Sequence, residues 1–233
     1  MSKTRKLIFW GAIWAIASMT LFNYHKDSHV ATLAHSVDLQ LRPGASAGLP
    51  IYSLKDQILS FELVFNRNGW HDRREADLGS WTRAPGSPDR IKFLNPGKRI
   101  ATEVSVNGGP PIALEAMPAS AYSDTKIWRT LGDGPISTAE WNWPPAHSVI
   151  RASAGKNEVI FRVVDVDPAL RGEKVTLYVP PPASFSSVQP GYFMFAFHWL
   201  LYPLGIFILG VTGLILLFMS CAEYSTIRRA NPH

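Results

Sequence analysis

The chain has 233 residues, of which 46% are hydrophobic and 18% charged, and its formal net charge is +5. Five of the 23 Lys and Arg lie close to the two termini, so the long middle section is nearly neutral. Nucleic-acid binding needs a basic surface on the folded part of a chain, and this distribution of charge excludes it as a leading function.

The first element is an apolar run at 7–24 that follows a basic tail, 1–6. A run of about 18 such residues is long enough to predict a membrane-spanning helix. Ala15-Ile16-Ala17 matches the small-x-small cleavage site of a signal peptide. Cleavage there would leave a short apolar region, and the run continues to Phe22. The sequence therefore favours a retained signal anchor, transmembrane helix 1.

Alternation of apolar and polar residues dominates the region 25–189 and predicts short β-strands. In the segment 58–65, Leu59, Phe61, Leu63 and Phe65 fall on one face. An Asn-Gly-Gly turn at 107–109 joins two alternating segments, 100–106 and 112–115, and predicts a β-hairpin. The other predicted strands are 37–41, 91–94, 126–131, 148–153, 158–167 and 173–179, of which 158–167 is expected to be central.

Short strands separated by Pro and Gly turns predict that 25–189 is an exported, all-β domain. Its expected architecture is an antiparallel β-sandwich of immunoglobulin-like or jelly-roll type. The single cysteine of the chain, Cys221, lies outside this region, so the domain has no disulfide and depends on its hydrophobic core.

A polar stretch at 66–90 separates two of these strands and is long for a loop. Loops of this length are typically functional or disordered. Trp and Arg are enriched at the hot spots of protein interfaces, so we predict the Trp and Arg residues of this loop as partner-binding. These residues are Arg67, Trp70, Arg73, Arg74 and Trp81. Two alternatives remain open: a solvated loop whose two Trp cover the end of the sandwich, and a glycan-binding loop.

A second aromatic cluster contains Trp141 and Trp143, which fall on the same side of an extended chain. Core packing before the Pro-Pro turn is the favoured interpretation. The alternatives are glycan stacking and a position in the membrane interface, where Trp is common.

No cofactor, metal site or catalytic residue is predicted. His25, His29 and His35 follow the first apolar run, but no matching carboxylate pattern or second His pair accompanies them. Asp165 and Asp167 precede a proline and are expected to cap a turn rather than bind calcium. The sequence has no H-E-x-x-H, Walker or C-x-x-C motif. G-x-S-x-G occurs at 44–48 and S-x-x-K at 123–126 and 153–156, but no helix is predicted after these segments, and both motifs need a strand or helix context to indicate a catalytic serine. We therefore predict that the protein is not an enzyme.

The last element is a run at 191–221 without Asp, Glu, Lys or Arg, followed by a tail, 222–233. It predicts transmembrane helix 2, kinked near Pro203. His198 lies near the outer end of this run and is interpreted as an interfacial residue rather than a proton relay. Lys and Arg flank both spans on their terminal sides, which predicts two cytoplasmic termini and a periplasmic domain in a bacterial inner membrane.

The leading functional hypothesis is a non-enzymatic, two-span inner-membrane protein whose periplasmic β-sandwich binds another protein. Such a protein is either an accessory subunit of an envelope complex or an immunity-type protein. The alternative is a periplasmic glycan-binding module that uses the tryptophans, and a remote third is a metal-dependent enzyme that uses the 25–35 histidines. The lipid bilayer and a periplasmic protein are thus the expected partners.

Overall fold

The computed structural model describes residues 3–69, 75–83, 90–133, 140–142, 150–184 and 188–230. The chain divides into two units, a helical one formed by Met1–Thr32 with Phe185–His233 and a β-rich one formed by Leu33–Ser184. The described helices are α1 (Lys3–Ala31), α2 (Glu75–Leu78), α3 (Phe193–Ala196) and α4 (His198–Ala230). The described strands are β1 (His35–Gln40), β2 (Ser46–Ser53), β3 (Gln57–Ile58), β4 (Glu62–Asn66), β5 (Ser80–Arg83), β6 (Arg90–Asn95), β7 (Ile100–Val106), β8 (Ile112–Ala116), β9 (Ala121–Tyr122), β10 (Lys126–Gly132), β11 (Glu140–Asn142), β12 (Arg151–Ala152), β13 (Gly155–Val166) and β14 (Lys174–Val179).

The helices α1 and α4 are long and apolar enough, by length and composition, to cross a membrane. Their apolar side chains are exposed, as Phe9 and Phe218 are at 54% and 72%, so neither helix is buried like the core helix of a soluble protein. α1 extends beyond the predicted 7–24 at both ends, and α4 begins at His198 rather than at 191, with Pro203 inside it. Both helices are consistent with membrane association.

The two long helices run antiparallel. At one end of the pair, the Thr4 hydroxyl donates a hydrogen bond to Glu223 Oε1 (2.7 Å). At the other end, the Tyr24 hydroxyl donates to the carbonyl oxygen of Met194 (2.8 Å). The start of α1 therefore lies beside the end of α4, and both chain termini are at the same end of the pair.

Two glycines of α4 allow α1 to approach closely. A Cβ at Gly205 would lie 2.8 Å from Leu21 Cδ1, and a Cβ at Gly213 would lie 3.1 Å from Trp14 Cζ2. The Trp14 indole N–H donates to the carbonyl oxygen of Leu209 (2.8 Å). Small residues at such contacts are how membrane helices pack, because lipid gives them no hydrophobic driving force toward each other.

In the β-rich unit, the main sheet is antiparallel and has the order β1-β14-β4-β10-β8-β7-β13-β2, with β9 paired to β10. The two end strands, β1 and β2, contact each other, so the sheet is nearly closed and barrel-like. β10 joins its two halves, since Lys126–Thr130 pairs with β4 and only Leu131 and Gly132 pair with β8. The mostly-β class is confirmed, whereas the sandwich stays a prediction.

The predicted hairpin is confirmed as β7 and β8, in register from Ala101 opposite Glu115 to Val104 opposite Ile112. Asn107 and Gly108 both have positive φ, 52° and 70°, and Gly109 N–H donates to the carbonyl of Val106. These are the dihedral angles that make Asn-Gly the preferred turn of a hairpin.

The other predicted strands are found with shifted boundaries. β1, β6, β10 and β14 coincide with predicted segments, the described part of 148–153 contains β12, and 58–65 is split between β3 and β4. β13 is central, as expected, because it pairs with both β7 and β2. Only one of its faces is buried: Ile160 and Val164 on the other face are 42% and 45% exposed.

The core lies inside the barrel-like sheet and contains the inward residues of every long strand. Phe61, Leu63 and Phe65 are buried there, as the alternation predicted, together with Phe161 of β13 and Leu177 of β14. This core stabilises a domain that has no disulfide.

Candidate partner-binding site

A separate three-stranded sheet brings together two segments that are far apart in the sequence. β6 is its central strand, with β5 on one side and β11 on the other. Trp81 lies opposite Phe93, and position 141 lies opposite Ile91. Directly opposed positions of antiparallel strands share a face, so these four positions fall on one face of the small sheet. The two tryptophan-bearing segments, which the sequence presents as unrelated, are thus parts of one structure.

The small sheet rests on the end of β8 through an apolar contact. Phe93 and Met117 are buried against each other, and the partly buried Trp81 packs on them. Leu94, on the opposite face of β6, is 64% exposed, and Thr82 beside it is also exposed. Trp81, a predicted partner-binding residue, therefore supports the sheet, and the opposite face presents an exposed leucine.

The backbone that enters β5 and the backbone that leaves β6 are in close contact at two glycines. Gly79 and Gly97 have φ of 85° and 74°, and a Cβ on Gly79 would lie 2.7 Å from the Asn95 carbonyl oxygen. Asn95 Nδ2 donates to the carbonyl of Ala76, at 2.6 Å. The Ala119 N–H donates to the carbonyl of Leu78. α2 and the small sheet are in this way hydrogen-bonded to each other and to the main sheet.

Arg67 has a different position from the one predicted. It is 5% exposed, and its guanidinium donates to the carbonyls of Gly69 and Ser123 at 2.7 and 3.2 Å. The same group lies 5.9 Å from the ring centre of Tyr122, whose hydroxyl donates to the carbonyl of Gly79. Arg67 thus fixes the base of the 66–90 segment to the β9–β10 turn instead of presenting its charge to solvent.

The remaining predicted residues of this site lie outside the described part of the chain. Trp70, Arg73, Arg74 and Trp143 belong to ranges that the structure does not describe, and for Trp141 only the backbone is placed. Gly69, before the undescribed 70–74, donates its N–H to the carbonyl of Asp124, and Leu78 of α2, after it, accepts from the N–H of Ala119. The roles of Trp70, Arg73, Arg74, Trp141 and Trp143 stay predictions.

The three histidines near the first span, His25, His29 and His35, all belong to the described part of the chain. Among the described residues, no group of three or more His, Cys, Asp or Glu could hold a metal ion. His25 Nδ1 instead lies 3.2 Å from His198 Nε2, and both rings stack with Tyr202. His35 belongs to β1, where burial lowers the pKa of its imidazole. His198 is thus a helix–helix contact residue, a role the sequence did not suggest.

The aspartates at the end of β13 have turn-forming roles. The Asp167 carboxylate accepts a hydrogen bond from the N–H of Ala169 (2.9 Å), which caps a short 3-10 turn. The Asp165 carboxylate accepts from the N–H of Val166 and lies 3.5 Å from the guanidinium of Arg99. These contacts agree with the predicted capping role.

Sequence reasoning missed a fully buried charge. Arg129 of β10 is 0% exposed, and its guanidinium donates to the carbonyls of Met117, Lys98 and Ala116 at 2.7 to 2.8 Å. Burial lowers its pKa to about 10, and the nearby Glu115 carboxylate opposes that shift. In "KIWRTL" the arginine occupies an inward position of an alternating strand, which is the signal that points to it.

No protein-family model matches the chain, and no curated protein matches it at a significant level. A crystal structure of a protein from Sulfurospirillum deleyianum is 11% identical, covers 64% of this chain and 97% of that chain, and has a TM-score of 0.37. The CBM35 from Cellvibrio japonicus Abf62 is 12% identical, covers 59% of this chain and 65% of that chain, and has a TM-score of 0.28. At these TM-scores neither likeness carries an inference about function.

Proposed function

We propose that this chain is a non-enzymatic membrane protein whose β-rich domain binds another protein, as an accessory subunit of an envelope complex or as an immunity-type protein. The small sheet is the observation that carries this proposal. It gathers both tryptophan-bearing segments at one place, is fixed to the barrel on one face, and presents the exposed Leu94 on the other. An anchored surface that presents an exposed apolar side chain, in segments rich in Trp and Arg, is typical of protein interfaces.

The proposed location is a bacterial inner membrane, with both termini in the cytoplasm and the β-rich domain in the periplasm. The antiparallel arrangement supports it, since the bond between Thr4 and Glu223 places both tails at the same end of the helix pair. Both tails also carry Lys and Arg, which are enriched on the cytoplasmic side of membrane spans.

We further propose that the barrel-like sheet is a sandwich closed at its corners. β10 pairs with β4 along most of its length and then with β8 through its last two residues. A strand that passes from one sheet to the next in this manner forms a corner between two packed sheets. An experimental structure of the domain with two distinct sheet planes is the expected result, and a uniformly round barrel would contradict it.

The decisive experiment captures the partner from native membranes. The tagged full-length protein is crosslinked, purified and analysed by mass spectrometry beside a variant that combines Trp70→Ala, Arg73→Ala and Arg74→Ala. We expect a stoichiometric protein partner with the wild type. The variant should capture at least about ten-fold less of this partner, because each truncation of a hot-spot residue costs more than about 1 kcal/mol of binding free energy.

The matched control removes one aromatic ring and two guanidinium groups elsewhere on the domain. Tyr52, Arg42 and Arg151 are exposed and belong to the β1–β2 region and to β12. Alanine at these three positions should leave capture unchanged. Equal capture by the loop variant and the wild type, with the fold intact by circular dichroism, would reject Trp70, Arg73 and Arg74 as partner contacts, and no protein partner for the wild type would reject the function.

The glycan-binding alternative uses the same small sheet but needs free indole faces. Trp81 does not provide one, because it packs on Phe93 and Met117. Titration of the protein with soluble peptidoglycan fragments and polysaccharides, followed by tryptophan fluorescence, distinguishes the two functions. Saturable quenching together with the absence of a protein partner would favour the glycan module.

A further inference from the structure

The outward face of β14, β4 and β10 contains a carboxylate in an aromatic setting. Glu62 lies directly opposite Tyr178 of β14 on one side and Thr130 of β10 on the other. Its neighbours on β4, Phe61 and Leu63, point into the core and are buried. Alternation therefore places Glu62 on the outside of the barrel.

This face is recessed rather than flat. Val64 follows Glu62 on the same face and is 5% exposed although it points away from the core. It lies opposite Trp128 of β10 and Thr176 of β14, both of which are only half-buried. The outward residues of β13 are, in contrast, well exposed. Large side chains thus occupy this face on both sides of β4, Tyr178 on β14 and Trp128 on β10.

The Glu62 carboxylate has no bonded partner within the part of the chain that the structure describes. Burial raises its pKa, and its charge in turn raises the pKa of Tyr178, after the burial of that ring. The hydroxyls of two threonines on the flanking strands are used elsewhere: Thr130 donates to Ser120 Oγ, and Thr176 donates to an oxygen of Asp38. A partly desolvated carboxylate to which none of the described residues donates favours the binding of a cation.

We propose that Glu62, Tyr178 and Trp128 form the site at which a lysine side chain of the protein partner binds. An ammonium group beside Glu62 supplies an opposite charge that none of the described residues provides. The aromatic rings on either side of β4 attract the same cation through their negative faces. The occupant is thus defined by charge complementarity, and the inference rests on the proposed function because it concerns that same partner.

The first experiment tests the cation site without the partner. The purified full-length protein in detergent is treated with a water-soluble carbodiimide and N-acetyl-lysine amide, and amide formation at each carboxylate is measured by mass spectrometry. Bound probe should couple to Glu62 about ten-fold faster than to the exposed Glu158 of β13, as expected for a desolvated cation–aromatic site. Tyr178→Leu should reduce this preference. Coupling at Glu62 that is no faster than at Glu158 would overturn the proposal.

The second experiment tests the partner's lysine. Zero-length carbodiimide crosslinking during capture should join Glu62 to a lysine of the partner, and Glu62→Gln should abolish that crosslink and reduce capture about ten-fold. Glu158→Gln, which removes the same charge from a different face, is the control. Full capture by Glu62→Gln would overturn the lysine site and leave the proposed function standing. Absence of any partner for the wild type would overturn the proposed function, while the probe experiment still decides the cation site.

Discussion

Two charged side chains of the barrel, Arg129 and Glu62, are both shielded from water but differ in their hydrogen bonding. The Arg129 guanidinium is fully buried, yet three backbone carbonyls accept its hydrogen bonds. Glu62 is only half-buried, and the described residues supply it no donor. A buried charge whose hydrogen bonds are satisfied supports the fold. A partly desolvated charge without them gains stability when a ligand of opposite charge binds to it. At the residue scale, Arg129 therefore contributes to the stability of the domain, whereas Glu62 contributes to its proposed binding of a partner.

Glu62→Gln should stabilise the free protein at neutral pH. Because the pKa of Glu62 is raised from its ordinary value of 4.5, the native state binds the proton more tightly than the unfolded state does. The stabilisation that comes from this tighter proton binding is therefore complete below pH 4.5 and is lost as the pH rises through the pKa that Glu62 has in the folded protein. Guanidinium unfolding at several pH values should show an advantage for Glu62→Gln at neutral pH that shrinks toward pH 4.5. A variant less stable than the wild type at neutral pH would contradict this, and Glu158→Gln is the control.

At the element scale, the small sheet depends on the close approach of the Gly79 backbone to the backbone of 95–97. Gly79→Ala adds a Cβ 2.7 Å from the Asn95 carbonyl oxygen at a φ of 85°. Gly44→Ala is the matched control, because Gly44 has a φ of 82° and open space around it. We expect about 1–2 kcal/mol of destabilisation for the control and about 2–5 kcal/mol for Gly79→Ala. Chemical unfolding measures both, and equal losses would show that the contact carries no strain.

The elements that could be predicted from the sequence are those with a strong local signal. The β7–β8 hairpin follows from Asn107-Gly108, and β4 and β14 follow from alternation. β2 was missed because Gly48 and Pro50 interrupt its pattern, although an end strand of a sheet tolerates proline. The small sheet was missed because pairing between 80–95 and 140–142 is long-range, and neither β5 nor β11 has enough residues to show a period.

Of the candidate site, composition alone identified the 66–90 segment, but it could not separate exposed from supporting residues. Arg67 and Trp81 were predicted as contacts because Arg and Trp are common at interfaces. The structure buries Arg67 among backbone carbonyls and packs Trp81 on Phe93. Such roles depend on tertiary partners that no local pattern contains.

At the scale of the whole molecule, the helix pair should depend on which α4 glycine is replaced. Gly213→Leu should displace Trp14, because even a Cβ there lies 3.1 Å from the indole, whereas a Cβ at Gly210 meets nothing within 4 Å. The measurement is disulfide formation in membranes between two introduced cysteines, Thr4→Cys on α1 and Glu223→Cys on α4. The native cysteine is removed by Cys221→Ser. We expect crosslinking to fall several-fold with Gly213→Leu and to persist with Gly210→Leu. Equal crosslinking in both would show that the glycine contact does not hold the helices together.

The pairing of β1 with β14 has a consequence for biogenesis. β1 begins only a few residues after α1, and its hydrogen-bonded partner is the last strand of the domain. The strand made first therefore has an open edge until nearly the whole domain has been synthesised. Such distant pairing slows folding and exposes unfinished sheet edges to aggregation. The barrel therefore completes its hydrogen bonding only after its last strand has been synthesised.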